Sequence, residues 1–451
     1  MAENCGGAES LLIEGDASHI RIAAGTGGVC PLYIALDGSL LRGSWNPADL
    51  LRWVSHDQLV DRAVTRLLTR RQRYSAETMF DGLYKVTERA VATVDRSGIS
   101  IAYPEPAEHV VLARKLRQNS DPVAVFAHLL GDRISPLVRS GDVRLAVEVS
   151  GGLDSATVAI AATCAGARDG LVSAGLEVDG EVGTQQAARR RAIVDRLRLR
   201  DIAALAAERL PFEADGPRSA DRLHYADGDV YLESFDQLRT RLHGEGVQAV
   251  LTGFGGDELM ALRSAERADG SVASPQELPA WLGERARSAL PDLENGVAPV
   301  SPVAVPTLMV FAARNPAYIV NGLWPVAPLA DAHLLRLCES LPVPWRAEKT
   351  LLRGFLQQAG FGPNVTHPKS VESFGTTMDA AMSQTGKLML GQMLDDSILI
   401  DLGYVDRRDL SLVHTQMARG AAPPPLLYDT LAVERSLQSV RSAAERNSVP
   451  R

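Results

Sequence analysis

The chain has 451 residues, is 45% hydrophobic and 23% charged, and carries a formal net charge of −8. That length suits two or three domains with sizeable cores, while the acidic balance argues against nucleic-acid or anionic-membrane partners. No run approaches the roughly 18 uninterrupted apolar residues of a membrane span. The N-terminus lacks a signal-peptide pattern, and Cys5, Cys30, Cys164 and Cys338 show no C-x-x-C spacing; reduced thiols in the cytoplasm are therefore expected, not a disulfide framework or a zinc site.

In chain order, "HIRIAAG" (19–25) and "PLYIAL" (31–36) read as short strands, and "DGSLL" (37–41) continues the pattern beyond an Asp-Gly turn. Residues 46–71 predict a helix, and 88–103 a hairpin around Ser-Gly. This first α+β block runs to a proline-punctuated connection at 104–109, with the domain boundary placed at 115. From Asp121, "DPVAVFAHLLGDRISPLVRS" predicts a helix with an acidic N-cap and a proline at its first position. A buried strand (Leu145–Val149), a helix (Ser155–Ala165), a strand (Leu171–Val178), an Arg/Ala-rich helix (184–209) and a strand (247–252) follow. Such alternation predicts an α/β domain, 116–440, built on a parallel sheet covered on both faces. The last third reads as helical, broken by prolines at 323–345 and 423–425, and 441–451 is expected to be a disordered tail.

Two junctions carry chemistry. "VEVSGGLDSATVA" (147–159) ends a strand of β-branched residues in Gly151 and Gly152, which let an anion approach the backbone. The helix start behind them offers free N–H groups and the positive end of its dipole, with Ser150 and Ser155 adding hydroxyls. The combination suits a phosphate or pyrophosphate. Asp154 would repel that anion without a cation between them, which points to Mg2+. The same letters also fit an ordinary strand-to-helix turn with an Asp/Ser cap. There is no Gly-Lys-Ser/Thr, no G-x-G-x-x-G at a strand–helix junction and no G-x-S-x-G. "VLTGFGGDELM" (250–260) repeats the logic, with Gly255 in the turn and Asp257 and Glu258 at the helix start. On neighbouring parallel strands, Asp154 and Asp257 would share one carboxyl-end edge.

Together, S-G-G-L-D-S and G-F-G-G-D-E resemble the asparagine synthetase family, built on the ATP-pyrophosphatase (adenine nucleotide alpha hydrolase-like) fold. "PLYIALDGSLLRGS" (31–44) is similar to the second half of that family's Ntn-glutaminase sandwich. "EKTLLRGFL" (348–356) and "HPKSVESFG" (367–375) are similar to its two lysine segments. The resemblance implies a truncated glutaminase-like domain (1–115) ahead of the synthetase domain. It also implies an ATP- and Mg2+-dependent enzyme that adenylates a substrate carboxylate, releases pyrophosphate and lets an amine displace AMP. By the same resemblance Ser150, Gly151, Gly152, Asp154, Ser155 and Gly255 hold ATP and pyrophosphate, and Asp154 and Asp257 bind the metal. Strand 171–178 receives the adenine, and Lys349, Lys369 and Glu258 are catalytic. Only five of the 47 basic residues are lysines, so two at these places stand out.

Three departures shape the expectation. No cysteine opens the chain as a glutaminase nucleophile, and Cys5 would need trimming to serve, so no glutaminase activity is expected. The family's G-L-E-A-R-V-P reads "GLWPVAP" (322–328), which puts Trp324 where a glutamate assists amine deprotonation. A larger, less polar acceptor pocket follows, with Tyr318 or Glu372 as replacement polar groups. "KSVESFGTT" is nearer to divergent members that form amides in natural-product pathways, such as β-lactam synthetases and lasso-peptide cyclases. The leading expectation is thus an amide ligase acting on a small-molecule or peptide carboxylate and amine; the sequence does not specify an oligomeric state, although an apolar face left by the lost half-sandwich would favour a homodimer. Alternatives are an ammonia-dependent asparagine synthetase, an adenylating enzyme with a nucleobase or sulfur acceptor, and a non-catalytic scaffold that keeps the fold.

Overall fold

A computed structural model describes residues 11–448 apart from 17, 142, 168–169, 220, 268–276 and 371–372. The first seven strands are β1 (Leu11–Gly15), β2 (Ile20–Ala24), β3 (Leu32–Asp37), β4 (Leu40–Ser44), β5 (Leu83–Val86), β6 (Val91–Asp95) and β7 (Gly98–Ala102). They form two antiparallel sheets, ordered β1-β2-β6-β7 and β4-β3-β5. Side chains alternate across a strand, and β3 uses both faces. Leu32 and Ile34 meet Ile22 and Ala92 of the other sheet, while Tyr33 and Ala35 turn toward a helical layer. The unit is therefore a two-layer sandwich where the sequence suggests half of one, and the face expected bare is covered. The region 46–71 is also divided: a 3-10 helix spans Pro47–Trp53 and an α-helix Asp61–Leu68.

The helical layer against β3 comes mostly from the far end of the chain. Leu50, Val64, Phe80 and Leu83 share one core with Trp281, Met389, Leu399, Leu427, Leu431 and Leu437. A break in sequence texture near residue 115 is thus no break in packing. The last helix, Leu427–Ser448, supplies much of this contact and stays helical past residue 441, correcting the expected tail; residues 449–451 lie outside the described residues.

The second half contains β8 (Leu145–Glu148), β9 (Val172–Glu177), β10 (Arg200–Leu205), β11 (Ala249–Leu251) and β12 (Trp324–Val326), a parallel sheet in the order β10-β9-β8-β11-β12. Helix Pro122–Arg139 leads into it, and the Asp121 carboxylate accepts from the N–H groups of Val123 and Ala124 as expected. On β8, Leu145 and Val147 face one core and Ala146 the opposite one, so the strand is buried on both faces. Two strands of this parallel sheet escape the sequence reading. Helix Gly180–Leu197 stops at Arg198, which takes a left-handed φ of 56°, and residues expected to prolong it form β10. β12 carries Pro325 and lies at the sheet edge, where a missing N–H is tolerated.

Chain order singles out one place along the sheet. β9 and β10 extend the sheet on one side of β8, and β11 and β12 on the other, so the winding direction reverses between β8 and β11. A crevice opens at such a reversal, outside the carboxyl ends of the strands. No helix among the described residues is long and apolar enough to cross a membrane.

Candidate functional site

The loop after β8 is shaped by helix Gly180–Leu197. Arg190 Nε donates to the Val149 carbonyl (2.9 Å), Gln186 Nε2 to Ser150 (2.9 Å) and Arg189 Nε to Gly151 (3.2 Å). Positions 186, 189 and 190 lie on one helical face, so three successive carbonyls are drawn to the same side. Gly151 has φ +88°, and a Cβ there would stand 2.9 Å from the Gln186 carbonyl oxygen, which leaves only glycine. Helix Leu153–Cys164 begins at Gly152 with no side-chain cap. Among the described residues, the N–H groups of Gly151, Leu153, Asp154 and Ser155 have no protein acceptor. The Ser155 hydroxyl accepts from the Ser150 N–H (3.2 Å) and donates to the Gly152 carbonyl (3.2 Å), while Ser150 Oγ accepts from the Gly152 N–H (3.3 Å). The turn is braced from within and open to an anion.

The loop after β11 presses directly on it. A Cβ on Gly253 would lie 2.9 Å from the Ser155 nitrogen, and one on Gly256 2.3 Å from Cγ of Asp154. Gly255, at φ +90°, turns the chain into the short helix Gly256–Leu259. The two acidic glycine motifs are therefore in van der Waals contact at the reversal point.

Lys349 joins them. Its Nζ lies 2.8 and 2.7 Å from the two Asp154 carboxylate oxygens and 2.6 Å from Asp257 Oδ1. The lysine is aimed by an unusual backbone: Glu348 and Lys349 both take left-handed φ values, 52° and 54°, immediately before helix Thr350–Gln358. Successive non-glycine residues in that region store strain of roughly 1–3 kcal/mol each. The Asp154 and Lys349 side chains are about four-fifths buried, whereas Asp257 is 81% exposed. One carboxylate is thus sheltered and the other faces solvent.

Burial pushes the Asp154 carboxyl above its ordinary value, with Asp257 and Glu258 adding to the rise and Lys349 opposing it. Burial disfavours the Lys349 ammonium, but Asp154 and Asp257 outweigh it and hold the lysine above its usual range. Glu258 accepts from the Thr307 hydroxyl (3.2 Å). Three carboxylates against one ammonium leave the cluster electronegative. Among the described residues no three or more His, Cys, Asp or Glu side chains form a metal cage. Mg2+, however, is commonly held by one or two carboxylates together with phosphate and water oxygens. Asp154 and Asp257 fit that donor set.

The remaining expectations fare unevenly. Lys369 is exposed and forms no ion pair with either carboxylate. Trp324 is misplaced as a pocket wall: it pairs with Ala249 at the amino end of β11, opposite the edge that bears Asp257, and packs edge-on against Trp45. Tyr318 is fully buried and its hydroxyl donates to Glu148 at the carboxyl end of β8. Glu372 and Cys5 lie outside the described residues. Sequence reasoning missed Gln186, Arg189 and Arg190, whose only signal was their common helical face in a stretch read simply as an Arg/Ala-rich helix. Arg190 is in fact fully buried, paired with Asp201 (2.6 Å).

Neither a family model nor a curated protein sequence matches the chain.

Proposed function

We propose that the protein is an ATP- and Mg2+-dependent, AMP-forming carbon–nitrogen ligase. In this reading it is an asparagine synthetase-like enzyme of natural-product biosynthesis, with an ATP-pyrophosphatase sheet and a glutaminase-like unit that hydrolyses no glutamine. One observation above all supports it: Asp154 and Asp257, from two separate strand ends, converge on one cation beside an uncapped helix start.

In this reading ATP is a substrate. The N–H groups of Gly151, Leu153 and Ser155 and the hydroxyls of Ser150 and Ser155 bind its pyrophosphate portion. Asp154 and Asp257 would hold Mg2+, which supplies charge neutralisation for the phosphate oxygens. A substrate carboxylate oxygen attacks the α-phosphorus, and the bond to the bridging oxygen breaks with its electron pair leaving on pyrophosphate. An amine nitrogen then attacks the acyl carbon, expels AMP and loses a proton. Lys349, and Lys369 from the exposed segment, place positive charge where negative charge accumulates. Such preorganised donors contribute on the order of 10²–10³ in rate each.

ATP–pyrophosphate exchange across a panel of carboxylates tests the reading, with Asp257→Asn expected to abolish exchange. Asparagine formed from aspartate and ammonium would identify the ammonia-using synthetase instead. Failure to bind Mg-ATP at all would leave only a scaffold.

A further inference from the structure

Of the three side chains that helix Gly180–Leu197 sends to the loop after β8, Arg189 also touches the segment that carries Lys369. Arg189, 94% buried, donates from Nε to the Gly151 carbonyl (3.2 Å) and from Nη1 to the Ser370 hydroxyl (3.3 Å). Ser370 Oγ in turn donates to Gln185 Oε1 (2.8 Å). A single guanidinium thus joins a residue of the anion-binding turn to the residue directly after Lys369. The guanidinium is planar with its donors in a fixed fork, so it sets the spacing between the two groups it holds. Lys369 itself is exposed and lies beyond helix Pro363–Thr366. A lysine carries about 2 kcal/mol of side-chain rotamer entropy, so its ammonium is useful only if its backbone is fixed relative to the anion.

We infer that Arg189 is a positioning residue: it fixes the backbone that carries Lys369 against the Gly151 turn, so that the lysine reaches an anion bound there. The inference rests on the nucleotide reading above and identifies how that site is completed. A simpler role, in which Arg189 only buttresses the glycine turn, gives a different outcome in a mutant cycle.

The test measures binding of inorganic pyrophosphate with Mg2+ to the full chain by calorimetry, in wild type, Lys369→Ala, Arg189→Gln and the double variant. Lys369→Ala should weaken binding roughly tenfold in the wild-type background and have almost no effect in the Arg189→Gln background. Arg189→Lys keeps the charge but cannot span both acceptors, so it should behave like Arg189→Gln. Where Arg189→Gln does not fold, Ser370→Ala replaces it, removing only the hydroxyl that receives the outer arm, and the same loss of Lys369 dependence is expected. Independent effects of the two residues, or wild-type affinity in Arg189→Gln, overturn the inference and leave the ligase reading standing. Absence of both pyrophosphate and Mg-ATP binding in wild type overturns both.

Discussion

Gly256→Ala is the sharpest test of whether the two acidic glycine motifs form one site. Gly256 lies in the short helix Gly256–Leu259, in a conformation that alanine also adopts, so only space is at issue. The added Cβ would stand 2.3 Å from Cγ, 2.6 Å from Cβ and 2.6 Å from Oδ1 of Asp154. Carbon–carbon contacts are optimal at roughly 3.5–4.0 Å, so the carboxylate must retreat by about 1.2 Å or more. That retreat moves the carboxylate out of the position in which it now holds Lys349 at 2.7 and 2.8 Å. Overpacking of this kind costs about 1–3 kcal/mol of stability, and misplacement by about 1 Å lowers a catalysed rate on the order of 10²-fold. Thermal unfolding and Mg-pyrophosphate binding would be read side by side. Gly131→Ala serves as the control: it lies in helix Pro122–Arg139 with nothing within 4 Å of its new methyl, and a gain of roughly 0.5–1 kcal/mol is expected. A Gly256→Ala protein with wild-type stability and wild-type affinity would mean that the two motifs do not press on one another as one site.

Three other outcomes are expected. Lys349→Met leaves Asp154 and Asp257 facing each other uncompensated, so the melting temperature should fall and be restored by Mg2+ more strongly than Mg2+ raises that of wild type; equal Mg2+ responses count against the metal assignment. Asp227 is pushed up to about 6 by burial, against the opposing pull of Lys85. Between the ordinary carboxylate value of 3.8 and that value, the folded chain retains a proton that the unfolded chain has released, so this group's contribution to stability declines as pH rises. The melting temperature of Asp227→Asn relative to wild type should therefore climb from pH 4 to pH 6, and a flat difference contradicts the assignment. Purified protein should release no ammonia from glutamine, and ammonia in a coupled assay would reverse that expectation.

Much of the sheet was legible because central parallel strands are short apolar runs punctuated by glycine, as at Leu145–Glu148 and Ala249–Leu251. The pairing of Asp154 with Asp257 was legible for the same reason: equivalent turns on adjacent parallel strands share an edge. β10 was not, since Arg198 takes the left-handed stop usually given to glycine and "RDIAAL" reads on as helix. Trp324 was misread because similarity of letters assigns a family position but not which end of a three-residue strand it occupies. The contact of Leu427–Ser448 with the first sandwich joins residues hundreds apart and leaves no local trace. Lys349 could be picked out as a rare lysine, yet the two left-handed residues that aim it carry no signature in "AEKT".

The apolar core that Tyr33, Phe80 and Leu83 share with Leu427 and Leu431 bears on how the chain can be cut. Excising the leading sandwich would uncover one flank of the closing helix and present water with a broad oily surface, inviting self-association. The leading unit is thereby indispensable as masonry, whatever chemistry it performs. Attempts to simplify the protein should erase functional groups within that unit, leaving its bulk in place.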